Sequence, residues 1–216
     1  MITEFGWQHL VTLLVAARWT ILVSAMAFAF GGIAGFVVAL GRTARSAPLR
    51  WLTAGYIQII QGTPVLIVLF LSYYGFSIAG LKLSPLFAAA LAMTIYASAY
   101  LGEIWRGCIQ AVPTGQWEAS SSLAMNRWQQ LRHVVLPQAL RLAVPPTVGF
   151  SVQIVKNTSI TSIIGLVELT RAGQLINNAV FQPFQVFILV AVVYFVLCFP
   201  LSVTAKRLER RLHAHH

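Results

Sequence analysis

The sequence predicts an all-α membrane protein, with about five transmembrane helices and a polar helical loop between the third and the fourth. Three observations carry that prediction. Of 216 residues, 58% are hydrophobic and only 9% are charged, where a soluble domain carries about a quarter charged residues. Uncharged runs extend from Trp19 to Leu40, Trp51 to Leu81, Leu83 to Gly102 and Ala172 to Ala205, and about twenty apolar residues cross a bilayer. The basic residues alternate between loops. Arg42, Arg45 and Arg50 follow the first run; Arg106, Arg127, Arg132 and Arg141 flank or occupy the polar loop; Lys206, Arg207, Arg210 and Arg211 close the chain. Lys82 and Arg171 stand nearly alone in the intervening loops.

That alternation is the positive-inside bias. It predicts a cytoplasmic polar loop, a cytoplasmic C-terminus, an outer N-terminus and an odd number of spans. The net charge of +10 therefore reads as membrane topology, with no nucleic-acid partner implied. The chain reads as one domain, residues 1–216. Its spans are expected at roughly 19–40, 56–79, 85–105, 142–165 and 184–205, with the cytoplasmic loop at 106–141. Cys108 and Cys198 fall on or near the cytoplasmic side, so no disulfide is expected. Glu4 and the long first apolar run argue against a cleavable signal peptide. His213, His215 and His216 read as a flexible tail or added remnant, and no metal site is expected.

In chain order, Met1 to Arg18 reads as a short interfacial helix with Trp7 and Trp19 at the membrane boundary. Gly31, Gly32 and Gly35 suit close helix packing in the first span. The second span holds Gln58, Gln61, Gly62, Thr63 and Pro64. Polar groups in hydrocarbon face a partner or an aqueous path, and Pro64 removes one N–H, which favours a kink. Near the end of the third span, Glu103 lies three residues before Arg106, within ion-pair reach. Gly107, Pro113 and Gly115 then break the helix and turn the chain.

The stretch from Thr114 to Pro137 is the polar island. Thr114 is placed to cap a first short helix carrying Gln116, Trp117 and Glu118. Asn126 and Gln129 form a loose capping box for a second. Trp128, Leu131 and Val135 recur at helical spacing, and Pro137 is expected to end the unit. The fourth span carries Lys156, Asn157, Thr158 and Ser159, with Lys156 past the midplane toward the outer side. A lysine at that depth marks a ligand or pathway contact, or else snorkels to the interface. Glu168 and Arg171 mark an outer segment.

The island resembles that of bacterial ABC importer permeases, whose pattern is E-A-A, three residues, G, nine residues, I-x-L-P. Here Glu118-Ala119-Ser120 is followed after three residues by Ala124, and nine later by Val134, then Leu136-Pro137. The departures are Ser120, Ala124 and Val134. If the family glycine needs positive φ, Ala124 carries a steric cost; a glycine kept for close approach tolerates alanine better. Gln61-Gly62-Thr63-Pro64 resembles the R-G-T-P of the polar amino-acid uptake subgroup, the histidine, glutamine and arginine type, and a plain proline kink explains it equally. Ala99 to Glu103, Leu136 to Arg141 and Val167-Glu168-Leu169 match the same subgroup. Lys156-Asn157-Thr158-Ser159 resembles its K-D-T-S, with Asn157 in place of the carboxylate.

The resemblance covers about Gly41 to Arg211. It implies a coupling helix in the island, docking on an ATPase through Gln116, Glu118, Ala119, Ser120, Ala124, Leu136 and Pro137. It implies a substrate pathway past Gln61, Thr63, Lys156, Asn157, Thr158 and Ser159; the spacing of Glu103 and Arg106 reads as a structural ion pair, with substrate contact as the alternative. It implies a bacterial inner-membrane complex: a second permease subunit, two ATP-binding subunits and an extracytoplasmic amino-acid-binding protein. The chain has no phosphate-binding loop and no aspartate. It is expected to be no enzyme by itself and to bind no cofactor, ATP and Mg residing on the partner ATPases. An ion-coupled secondary transporter and a non-transporting membrane assembly protein are the alternatives. The first would need an internal repeat and intramembrane carboxylates, and neither is evident.

Overall fold

The computed structural model describes residues 6–78 and 80–213. The reading of the histidine-bearing tail falls on side chains outside these. The described residues form helices without strands. Helix α1, Trp7–Thr43, runs unbroken for 37 residues, about 55 Å at the usual rise, so it overhangs the roughly 30 Å hydrocarbon core. The separate interfacial helix expected before Trp19 is its first part, because no proline interrupts the chain there.

Helix α1 packs chiefly on α4, Pro85–Gln110. Small residues set the closeness of that crossing. A Cβ on Gly31 would lie 2.6 Å from Ala97 Cβ, and one on Gly35 3.0 Å from the Ser98 carbonyl oxygen. Gly32 differs: its Cβ would meet only Trp105, at 3.7 Å. Around this pair Val23, Ala27, Met93, Leu101, Phe150 and Ile154 form the main core. The α4 helix starts on Ser84, whose hydroxyl accepts from the Phe87 N–H. It continues through Gly107, so Pro113 and its lead-in turn the chain, not that glycine.

Between α1 and α4 lie α2, Ala47–Gln61, and α3, Val65–Ile78, bent by 103° at their junction. The span expected at 56–79 is thus a broken element. Pro64 lacks an N–H, and the freed carbonyls are satisfied locally: Ile60 O by the Thr63 N–H at 3.4 Å, Ile59 O by the Thr63 hydroxyl at 2.7 Å. A Cβ on Gly62 would sit 2.8 Å from Gln58 O, so the sharp turn requires glycine. Tyr56 fastens α2 to α4, its hydroxyl 2.6 Å from Ser98 Oγ and 3.1 Å from Ile95 O.

After α5, Thr114–Ser122, helix α6 runs over Arg127–Ile164. It contains a wide turn at Gln130–Val135 and a tightened end at Thr158–Ile164. Pro137 does not end the unit. The preceding wide turn, in which Leu136 N–H reaches back five residues to Leu131 O, makes room for the proline ring, and the helix continues. Gly165 at φ 89 ends it. Helix α7, Leu169–Val180, is bent 50° from α6. Helix α8, Pro183–His213, closes the fold against α6. Among the described residues three helices are long and apolar enough to span a membrane; counting each bent pair as one span gives five.

Candidate functional site

The island folds as a packed, hydrogen-bonded knob. Trp117 on α5 packs with Ile109, Val112, Val135 and Ala139. Thr114 does not cap α5: Pro113 holds the cap position and Thr114 is the first helical residue. The end of α5 is built by backbone bonds. Ala124 N–H donates to Ser121 O at 2.9 Å and Met125 N–H to Ser120 O at 3.3 Å, the paired bonds of a Schellman motif. Ala124 is therefore left-handed, at φ 55. Alanine holds this left-handed place with steric strain.

Asn126 begins α6. Its side-chain oxygen accepts from the Gln129 N–H at 3.0 Å, and Gln129 Oε1 accepts from the Asn126 N–H at 2.9 Å. Gln130, buried, donates to Ser121 Oγ and Met125 O, closing the turn from inside. Gln138 donates to Gln116 Oε1 at 3.2 Å, tying α6 to α5. Ser120 is buried, its hydroxyl turned to Trp117 O. Glu118, Ala119, Ala124 and Pro137 are exposed, and Leu136 is half-buried.

Trp128 does not share the buried face of Leu131 and Val135: it is 61% exposed. The wide turn between them holds more residues per turn, so helical spacing fails there. Leu123, 76% exposed, accompanies it. Sequence reasoning missed this apolar pair around the turn, because constant helical periodicity assigned Trp128 inward. Arg127 lies over the Trp117 ring, 3.9 Å from its centroid.

Glu103 accepts from Arg106 Nε at 2.9 Å and from its Nη2, and Arg42 Nε lies 3.9 Å from the same carboxylate. This group binds the end of α4 to the end of α1.

Within the bundle the expected polar residues separate. Gln61 is exposed at the end of α2 and Thr63 is half-buried in the bend. Lys156 is exposed on the side of α6 near Cys198. Thr158 is fully buried, and its hydroxyl bonds Val155 O at 2.7 Å. Ser159 Oγ bonds Lys156 O at 2.7 Å. Both hydroxyls are thus turned onto their own helix, as is usual for such residues, and not toward the Lys156 ammonium.

Asn157 meets different company. One turn earlier, Gln153 donates to Tyr96 Oη at 3.4 Å, and Asn157 interacts with the same phenol. Tyr96 lies against Tyr100, centroids 4.5 Å apart, and Tyr100 stacks on Phe150 at 5.4 Å. This is a polar, aromatic patch between α4 and α6. The sequence signal for it was Gln153 one turn before Asn157, together with Tyr96 and Tyr100 one turn apart.

Glu168, in the segment expected on the outer side, is wholly buried among the helices. It caps α7, accepting the N–H groups of Thr170 and Arg171 at 3.0 and 2.9 Å. It also accepts from Tyr194 Oη at 2.9 Å and from Thr20 Oγ1 at 3.4 Å. One carboxylate thus joins α1, α7 and α8.

Long apolar helices, two bent elements and an ordered polar knob define a polytopic helical membrane subunit of the importer-permease class. The family of binding-protein-dependent transport system inner membrane components matches residues 27–214. The chain belongs to that family and is a multi-pass inner-membrane permease subunit. A probable glutamine ABC transporter permease of Bacillus subtilis is 37% identical over 193 residues, covering 89% of each chain. The glutamine transport system permease of Escherichia coli is 32% identical over 95% of each. The solved structure of an amino acid ABC transporter with histidines gives a TM-score of 0.88 at 30% identity, covering 97% of this chain and 100% of that one. The MetNI methionine ABC transporter, TM-score 0.79 at 20% identity, shares the fold.

Proposed function

We propose that this permease carries a polar or charged amino acid, or a close derivative, into the cell by alternating access. The supporting observation is the knob: α5, its strained turn and the start of α6 form a pinned unit that exposes Glu118, Leu123 and Trp128 together. A pinned lever transmits motion, and exposed aromatic and aliphatic side chains supply the anchor of a protein interface. The partner is an ATPase subunit, which binds the ATP and Mg; this chain performs no hydrolysis. Two such subunits, a second permease and an extracytoplasmic binding protein complete the complex. The basic clusters favour a cytoplasmic knob and C-terminus and an outer N-terminus.

Substrate class is inferred from the relatives named for glutamine and from the structure solved with histidines. Within this chain the Tyr96, Tyr100, Gln153 and Asn157 patch suits an amino acid's polar groups, with Lys156 nearby on the same helix. Glu118 positions the docking unit and takes no part in chemistry. The test is co-purification. An ATPase subunit remains with the wild-type chain in detergent and is lost from the Leu123→Ser, Trp128→Ser double variant. Retention by that variant would overturn the docking reading.

A further inference from the structure

Beside the knob lies a cavity of about 500 Å³ lined by Arg42, Arg45, Arg50 and Arg127, with Trp117 and Ile109 among its walls. Among the described residues its positive charge is matched only by Glu103, which Arg106 shares. Glu103 is bonded to Arg106, with Arg42 at 3.9 Å. Arg45, Arg50 and Arg127 meet no carboxylate among the described residues. Arg42 Nε is buried without a hydrogen-bond partner. Arg127 lies over the Trp117 ring, and Arg50 donates to the Ala44 and Arg45 carbonyls. Four guanidinium groups around one concavity call for an anion.

A second, almost wholly apolar groove of about 410 Å³ lies along α1, α4 and α6, lined by Gly32, Phe36, Trp105, Leu136 and Leu140. Ile109, itself buried, lines both cavities, so the groove and the basic pocket lie on two sides of one side chain. The neighbouring helix α2 turns Leu49, Trp51 and Leu52 outward, Trp51 at 77% exposure. Exposed apolar side chains and a tryptophan flanking Arg50 in sequence mark a membrane–water boundary.

We infer that the pocket and groove together hold one anionic phospholipid, its phosphate among the arginines and an acyl chain along α1 beside Gly32. Free phosphate would satisfy the pocket and leave the groove empty. An acidic segment of a docked ATPase would likewise bring no hydrocarbon for it. A lipid satisfies both, and basic pockets between membrane helices take anionic headgroups. Seated there, the lipid ties the α1–α2 elbow to the knob.

The test is native mass spectrometry of the detergent-purified complex, titrated with phosphatidylglycerol or with phosphatidylcholine of the same acyl chains. One phosphatidylglycerol per permease chain is expected, bound more tightly than phosphatidylcholine. The Arg45→Gln, Arg127→Gln double variant should weaken phosphatidylglycerol about thirtyfold, each basic residue near an anionic surface giving about fivefold. The Arg45→Lys, Arg127→Lys variant should keep it, which separates charge from misfolding. Gly32→Leu fills the groove against only Trp105 and should also weaken the lipid. Equal binding of the two lipids, or unchanged binding in the glutamine variant, overturns the inference. So does full competition by inorganic phosphate with Gly32→Leu silent, which assigns the pocket to free phosphate. Phosphatidylglycerol bound by the permease alone and excluded once an ATPase is attached would give the pocket to the ATPase instead.

Discussion

Replacing Ala124 with glycine removes a strain that the structure localises to one residue. Ala124 sits at φ 55, where a side chain costs roughly 1–2 kcal/mol. Glycine gives back roughly 0.5–1 kcal/mol through the greater freedom of the unfolded turn. The net gain is about 0.5–1 kcal/mol. It falls on the turn alone, because Ala124 is exposed and its Cβ supports no core. The assay is amide hydrogen exchange on the detergent-solubilised chain. Protection of the Ala124 and Met125 amides, bonded to Ser121 and Ser120, should rise about two- to fivefold in Ala124→Gly, since 1.4 kcal/mol is about tenfold. Amides within α4 should not change. Ala124→Val should do the opposite, because a β-branched residue tolerates positive φ worse than alanine. Faster exchange in the glycine variant, or equal exchange in all three, would refute the strained-cap argument.

Other positions give sharp expectations. Gly35→Ala should destabilise the bundle by about 1–3 kcal/mol, because its Cβ would press on the Ser98 carbonyl and Gly102 N–H, which are backbone; Gly32→Ala should be near neutral, and thermal unfolding compares the two. Glu168→Ala orphans the Thr170 and Arg171 N–H groups and the Tyr194 and Thr20 hydroxyls. A loss of about 3 kcal/mol, or roughly 6–12 °C in unfolding midpoint, is expected there, and a shift within 2 °C, as an order-of-magnitude bound, would deny the staple. Gln153→Ala should raise the uptake KM about fivefold, the worth of one hydrogen bond, with basal ATP hydrolysis unchanged; an unaltered KM removes the patch from the pathway.

Local chemistry was readable in the sequence and long-range geometry was not. The Asn126–Gln129 box involves partners three residues apart, and spacing alone reveals it. The break at Gly62-Thr63-Pro64 follows from glycine and a missing N–H, although its 103° angle depends on α2 lying against α4 through Tyr56. Thr114 looked like a cap, but Pro113 precedes it and takes the position. Trp128 and Pro137 were misjudged for one shared reason: a wide turn at Gln130–Val135 shifts the register and absorbs the proline, and periodicity presupposes a uniform helix. Spacing did not show that Thr158 is buried with its hydroxyl on Val155 O, nor that Glu168 staples three helices. Both depend on how α1, α7 and α8 converge, which no spacing encodes.

The central claim is that the knob couples this chain to an ATPase. It is tested most directly in proteoliposomes that hold the assembled complex, by measuring amino-acid uptake and ATP hydrolysis together for wild-type and Glu118→Lys chains. The account predicts that the exposed charge reversal abolishes uptake and its stimulation of hydrolysis, while the permease still folds and inserts. Full coupled uptake by Glu118→Lys would contradict it.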